Sequence, residues 1–184
     1  MDALTLLTQR YSTGRLSEPG PDSAALTQLI SCALRAPDHA YLRPWRFLVI
    51  DGDSRQRLGD LFADALLQRK PAANVDEIEK NRNAPLRAPV VIAVISQIHA
   101  HAKVPAIEQT LSAGCGAFAL VLAAQAMGFG AVWRTGENAY DERIKQGLGL
   151  AANENIIGYI YVGTPSGPAK VVPTLNPNDF VQRW

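Results

Sequence analysis

The chain has 184 residues, 47% hydrophobic and 19% charged, and its 18 Lys and Arg against 17 Asp and Glu leave a net charge of +1. That length suits one domain able to bury roughly 70% of its unfolded surface without disulfides or metal. The near-neutral balance argues against a nucleic-acid binder, and Cys32 and Cys115 form no CxxC unit, so a zinc ribbon, a haem attachment site or a thioredoxin motif is not expected.

The opening Met1-Asp2-Ala3-Leu4-Thr5-Leu6-Leu7 has no basic n-region, and Arg10 interrupts the apolar run too early for a signal peptide, so a cytoplasmic location is expected. Asp2 reads as the N-cap of a first helix with Leu4, Leu6 and Leu7 on its apolar face. Gly14, Pro19, Gly20 and Pro21 break the chain. A second helix follows from about Ser23 to Arg35, with Leu26, Leu29, Ile30, Ala33 and Leu34 at helical spacing, and Pro37 ends it. Trp45 to Ile50 reads as a strand stopped by Asp51-Gly52-Asp53. A helix from about Ser54 to Arg69 and a polar stretch to Arg87 come next. The β-branched run Pro89 to Ile95 reads as a strand buried on both faces.

Leu111 to Trp133 carries no charge, and its length matches a bilayer. Its Gly and Ala content and the lack of a following basic cluster favour a buried helix ending near Gly128, with a membrane span as the alternative. Ala131 to Trp133 reads as a short strand, Asp141 to Leu148 as a short helix and Ile156 to Val162 as a last strand. No repeat or linker divides the chain, so residues 1–184 form one domain. The mostly helical N-terminal third favours an α+β sandwich, a central mixed sheet flanked by helices, over a strict doubly wound sheet.

No phosphate loop and no GxSxG elbow is present. Gly128-Phe129-Gly130 lies between a helix and a strand, the reverse of the order a dinucleotide fingerprint needs. His99 and His101 have no third ligand at a recognisable spacing, so no metal site is expected. Four clusters stand out. Arg10-Tyr11-Ser12 with Arg15 can grip a phosphate, or merely place cations at a helix C-terminus. Arg35-Ala36-Pro37-Asp38-His39 and Arg43-Pro44-Trp45 make either a ligand loop or a capped loop with a core Trp45. The small residues from Gly114 to Gly128 suit close approach of a subunit or planar ligand, or simple packing. Trp133-Arg134-Thr135-Gly136 offers an anion or ring contact, or a surface arginine after a core tryptophan.

In order and spacing these clusters resemble the nitroreductase family of FMN flavoproteins, in particular its shortest, YdjA-like branch. The resemblance runs from Met1 to about Pro165. It is carried by Arg10-x-Ser12, Arg35-Ala36-Pro37-Asp38-His39, Pro44-Trp45-x-Phe47, Asn83-Ala84-Pro85 with Arg87-Ala88-Pro89, Lys103-Val104-Pro105, Ser112-Ala113-Gly114-Cys115, Gly128-Phe129-Gly130-x-x-Trp133-Arg134 and Gly158-x-x-Tyr161-x-Gly163-Thr164-Pro165. It implies an obligate homodimer with two FMN molecules at the subunit interface. Arg10 and Ser12, with Tyr11 beside them, then hold the flavin phosphate and ribityl chain. Arg35 and His39 reach the flavin from the partner subunit, and Trp133, Arg134 and Thr135 lie against the isoalloxazine. A nicotinamide-nucleotide contact falls on Ala123, Ala124, Gln125, Ala126, Met127 and Gly128, although those side chains offer few donors.

Two positions depart from the family pattern: Tyr11 stands where a basic residue is frequent, and Arg43 where a glutamine commonly precedes Pro-Trp. The implied activity is transfer of electrons from NADH or NADPH through FMN to an electron-poor small molecule such as a nitroaromatic or quinone. The cofactor carries the hard chemistry, which accounts for the lack of a catalytic triad or acid–base pair. Arg15 or Arg35 is the cation for the reduced flavin. A non-catalytic flavin carrier is the alternative function.

Overall fold

A computed structural model describes residues 2–184. Helix α1 (Ala3–Gln9) is capped by Asp2, whose carboxylate accepts from the amides of Leu4 at 3.0 Å and Thr5 at 3.1 Å. Strand β1 (Leu16–Ser17) follows, then α2 (Ser23–Ala33), capped by Asp22 on the amide of Ala25. Strand β2 (Trp45–Asp51), helices α3 (Ser54–Arg69) and α4 (Val75–Arg82), and strand β3 (Val90–Gln97) come next. The chain continues through α5 (Ala106–Ala126), β4 (Gly130–Arg134), α6 (Glu142–Gly147) and β5 (Glu154–Pro165).

Strand β5 lies between β3 and β4, β2 is the outer neighbour of β3, and β1 pairs with the C-terminal end of β5. The helix-flanked α+β sandwich is as expected, but the sheet differs in one respect. Every ladder among the described residues is antiparallel, not mixed. Two connections account for this. Helices α3 and α4 run out and back, so β3 starts where β2 stopped, with Asp51 opposite Val90. The single long helix α5 does make β4 run parallel to β3, but β5 occupies the place between them.

The β-branched run of β3 predicts burial on both faces, and Val90 through Ile95 are all at most 4% exposed. Val90, Ile92 and Val94 face α2 and α5, while Val91 and Ala93 face α3 and α6. Helix α5, whose one charged residue is Glu108, is long and apolar enough to cross a bilayer, yet Ala113, Ala117, Leu120 and Ala124 are fully buried in the core. Helix α4 falls within the stretch that reads only as polar. Its anchor is a capping box: Asn74 accepts from the amide of Glu77 at 2.9 Å, and Glu77 accepts from the amide of Asn74 at 3.1 Å. It docks on α3 at Gly59, where a Cβ would lie 2.0 Å from the Arg82 carbonyl oxygen.

One buried ion pair ties the ends of β2, β3 and β5 together. Glu154 is 5% exposed and accepts from Arg46 Nε at 2.7 Å and Nη2 at 2.8 Å, from Gln97 Nε2 at 2.7 Å and from the Ala151 amide at 2.9 Å. The Arg46 guanidinium, helped by those amides and opposed by burial, holds the carboxyl at about 2 against its ordinary 4.5. The folded form therefore keeps this stabilisation above pH 4.5 and loses it as pH falls toward 2. Glu154→Gln should cost about 2–3 kcal/mol at neutral pH, and the gap from wild type in urea unfolding should close across that acid window. A gap independent of pH would show that the pair contributes through packing alone.

Candidate active site

The extended strip that follows α1 brings two of the sequence clusters together. Arg10 already has extended backbone (φ −61°, ψ 135°), so the chain leaves the helix straight, and the Thr13 amide donates to the Ala131 carbonyl at 2.9 Å. Residues 10–15 thus run beside β4, the strand that ends in Trp133 and Arg134. A Cβ at Gly14 would lie 3.8 Å from Arg134 Nη2. Arg10 spreads its guanidinium over the Phe118 ring of α5, 5.9 Å from the centroid. No carboxylate among the described residues lies within 4.0 Å of Arg10, Arg15 or Arg134, whereas Arg46, Arg55, Arg69 and Arg82 all have acidic partners. Arg10 and Tyr11 border a cavity of about 870 Å3 whose other side is residues 169–175.

Strand β4 stops at Arg134 opposite Tyr159, while β5 extends back to Glu154. The uncovered edge of β5 borders a cavity of about 450 Å3 lined by Leu111 and Gly114 of α5, Tyr140, Lys145 and Ile156. That volume suits a small-molecule ligand. Trp133 sits beside it, its ring 3.9 Å from where a Gly114 Cβ would be. A Cβ at Gly158 would lie 2.1 Å from Trp133 Nε1, so only glycine admits the indole there. Trp133 Nε1 is the one buried side-chain polar atom without a hydrogen-bond partner among the described residues.

The loop between α2 and β2 is strained. Ala40 (φ 64°), Tyr41 (φ 54°) and Arg43 (φ 50°) all lie in the left-handed region without being glycine, at about 1–2 kcal/mol each. The surroundings hold them there. Asp38 accepts from the amides of Leu42 at 3.1 Å and Arg43 at 2.8 Å, and Ser112 Oγ of α5 donates to the Pro37 carbonyl. His39 Nδ1 is 2.7 Å from Glu108 Oε2 on the first turn of α5. Strain held by a surrounding network concentrates at ligand clamps and active sites.

Residues 7–164 match the model of the nitroreductase family. The chain belongs to the nitroreductase family. A protein of Escherichia coli (strain K12) named "Putative NAD(P)H nitroreductase YdjA" is 40% identical over 184 residues, covering 98% of each chain. Among solved structures, a nitroreductase-like family protein from Bacillus cereus superposes with a TM-score of 0.85 at 19% identity, covering 100% of this chain and 96% of that one. A variant of the FMN- and NADPH-dependent nitroreductase NfnB from Sphingopyxis sp. strain HMH superposes with a TM-score of 0.80 at 16% identity, covering 100% and 99%. At such identities the structural likenesses establish the nitroreductase fold.

On this fold the candidate residues divide. Arg10, Tyr11 and Ser12 lie on the strip, next to the strand that leads into Trp133, Arg134 and Thr135. Arg35 and His39 belong to the strained loop, whose polar contacts go to Glu108 and Ser112 of α5 and not to the strip. The segment from Ala123 to Gly128 is the weakest candidate. Ala123 and Ala124 are buried in the core, Met127 packs against it, and only Ala126 and Gly128 are exposed. Ala123 and Ala124 are buried, so the accessible part of this segment is the half-buried Gln125 with Ala126 and Gly128. Sequence reasoning missed the Leu111–Gly114–Tyr140 cavity, because it exists only where β4 ends short of β5. Ala40→Gly removes left-handed strain and should raise stability by about 1 kcal/mol in denaturant unfolding. A loss of stability would mean that the Ala40 methyl packs in a way that outweighs its backbone.

Proposed function

We propose that this nitroreductase-family chain is an FMN-dependent NAD(P)H oxidoreductase that reduces electron-poor small molecules such as nitroaromatics or quinones. The observation that carries the reading is the meeting of the Arg10–Ser12 strip with β4. It sets arginines without acidic partners beside a strand end, a buried unpartnered indole N–H and a ligand-sized cavity. These residues fit a flavin mononucleotide: a phosphate calls for guanidinium and hydroxyl donors, and an isoalloxazine calls for a flat wall with backbone access. When bound, FMN supplies the redox chemistry, taking a hydride from NADH or NADPH and passing electrons to the acceptor.

The chain's own work is binding, orientation and electrostatics. Arg10 and the Ser12 hydroxyl hold the phosphate, with the Tyr11 hydroxyl beside them. Trp133, Arg134 and Thr135 form the wall, and the open backbone around Gly136 admits the ring closely. Arg15 or Arg35 places a positive charge where the reduced flavin gathers negative charge. Gln125, Ala126 and Gly128 are the accessible part of the nicotinamide contact.

The active form in this reading is a homodimer in the cytoplasm. Leu4 (74% exposed), Leu7, Ile107 (62%), Leu111 and Phe118 form an apolar face on α1 and α5 that the single chain leaves uncovered. A second copy covers that face and brings its own Arg35 and His39 loop to the flavin. The free cysteines Cys32 and Cys115 agree with a reducing compartment.

The purified protein should be yellow, and its flavin should be reduced by NADH or NADPH with saturation kinetics. A colourless protein that FMN does not reconstitute would refute the reading, and slow, unsaturable reduction would mark a carrier. Arg10→Ala should weaken FMN binding about 10- to 100-fold, read by flavin fluorescence titration. Because dimerisation and flavin binding are linked in this arrangement, Ile107→Glu should shift the protein to monomers in analytical ultracentrifugation and release flavin together. A monomer that retains its flavin would refute the shared site.

A further inference from the structure

We propose that the cavity between α5, α6 and the uncovered edge of β5 seats the electron acceptor, and that Lys145 selects acceptors bearing an acidic group, small aromatic carboxylates in particular. The proposal rests on the oxidoreductase reading for the fate of the bound molecule, but not for its binding.

The cavity, of about 450 Å3, has apolar walls in Leu111, Gly114 and Ile156, and Tyr140, 73% exposed, adds a ring that solvent still reaches. A volume and lining of this kind suit a small ring compound. Lys145 is the one charged residue among those that line it. Its side chain is only 17% exposed, so the stem is packed and the ammonium is held. Nζ donates to Glu142 Oε1 at 2.7 Å and to Asn155 Oδ1 at 3.1 Å. Asn155 lines the same cavity, which sets the ammonium at its wall. An ammonium carries three N–H groups, and these two bonds leave one without a partner among the described residues. The Glu142 carboxylate is 73% exposed, and its pairing with Lys145 is weakened by water. A carboxylate in the cavity can take the third N–H while Glu142 keeps the first.

The wall is built before any ligand arrives. Ile144, beside Lys145 in sequence, is fully buried, and Asp141 caps α6 on the amides of Arg143 at 2.9 Å and Ile144 at 3.3 Å. Arg69 grips Asp141 and also donates from Nη2 to Asn138 Oδ1 at 2.9 Å, while the Tyr159 hydroxyl donates to the Asn138 carbonyl at 3.1 Å. The segment from Asn138 to Lys145, Tyr140 included, is therefore preorganised, and little freedom is lost on binding. Gly114 connects this cavity to the flavin site, because a Cβ there would lie 3.9 Å from the Trp133 ring. An acceptor held here lies alongside the flavin of the proposed function, its ring against Leu111 and Ile156 and its carboxylate on Lys145.

Two acceptors that differ only in the acidic group, 4-nitrobenzoate and nitrobenzene, test this with the full-length, flavin-loaded protein. In each turnover NADH gives a hydride and the solvent a proton, and the nitro group becomes nitroso with loss of one oxygen as water. Wild type should show the lower KM for 4-nitrobenzoate. Lys145→Met keeps the stem but not the charge. It should lower the ratio of kcat/KM for 4-nitrobenzoate to that for nitrobenzene about tenfold, through KM, and Lys145→Arg should restore the ratio. The same ratio in all three proteins would overturn the proposal, as would equal KM values for the two acceptors in wild type. Benzoate, which has no nitro group to reduce, separates this proposal from the reading beneath it. Calorimetric binding of benzoate to wild type and about tenfold weaker binding to Lys145→Met, in a protein that reduces neither nitro compound, would sink the oxidoreductase reading and leave the site standing. Reduction of both nitro compounds with no binding of benzoate would sink the site and leave the reading.

Discussion

Strand β5 carries three neighbours at once, and the point where β4 releases it determines where a ligand can sit. On one edge β3 pairs with β5 from Val162 down to Glu154. On the other edge β4 pairs only from Gly163 to Tyr159, leaving five residues of β5 uncovered. The register with β3 shifts between Val94 and Ile95, which passes over Ile157 and sets Gly158 against the Trp133 indole. A bulge of this kind re-aims side chains next to a site. Here it turns a sheet edge into a cavity wall, closed by α5 and by Tyr140 and Lys145.

The second constraint is the division of labour among the arginines. Arg46 lies on Glu154, Arg69 on Asp141 and Arg82 on Asp60 and Glu79, each joining elements far apart in sequence or locking a helix. Arg10, Arg15 and Arg134 have no such partner among the described residues, and Arg10 and Arg15 border cavities. The near-zero net charge hides this division, because it counts cations without regard to where the acids stand. The arrangement suits a protein whose ligands are anionic and whose cofactor does the chemistry.

Helix α5 serves both the core and the site. Its fully buried small residues let α2 and the sheet approach closely, and a Cβ at Gly116 would already sit 3.4 Å from the Ala33 carbonyl. Its other side offers Phe118 to Arg10 and Ser112 and Glu108 to the strained loop, and leaves Ile107 and Leu111 uncovered. One helix therefore ties core packing, loop strain and an uncovered apolar face together.

Local chemistry alone determined a good part of this protein. The Asp2 cap, the two-sided burial of Val90 to Ile95, the long small-residue helix and the strand ending in Trp133 are each set by residues within a few positions of one another, so spacing and side-chain type sufficed. Family-like order in Arg10-x-Ser12 and Trp133-Arg134 marked the site candidates as well. Helix α4 escaped because its helical stripe is thin and only the Asn74–Glu77 box announces it. The antiparallel sheet escaped because strand direction depends on β5 entering between β3 and β4, a fact of topology that no window of sequence contains. The burial of Ala123 and Ala124 and the left-handed backbone at Ala40, Tyr41 and Arg43 were decided by the tertiary structure alone. Each requires segments tens of residues apart to meet in space, and contact at that range is fixed by packing and not by local pattern.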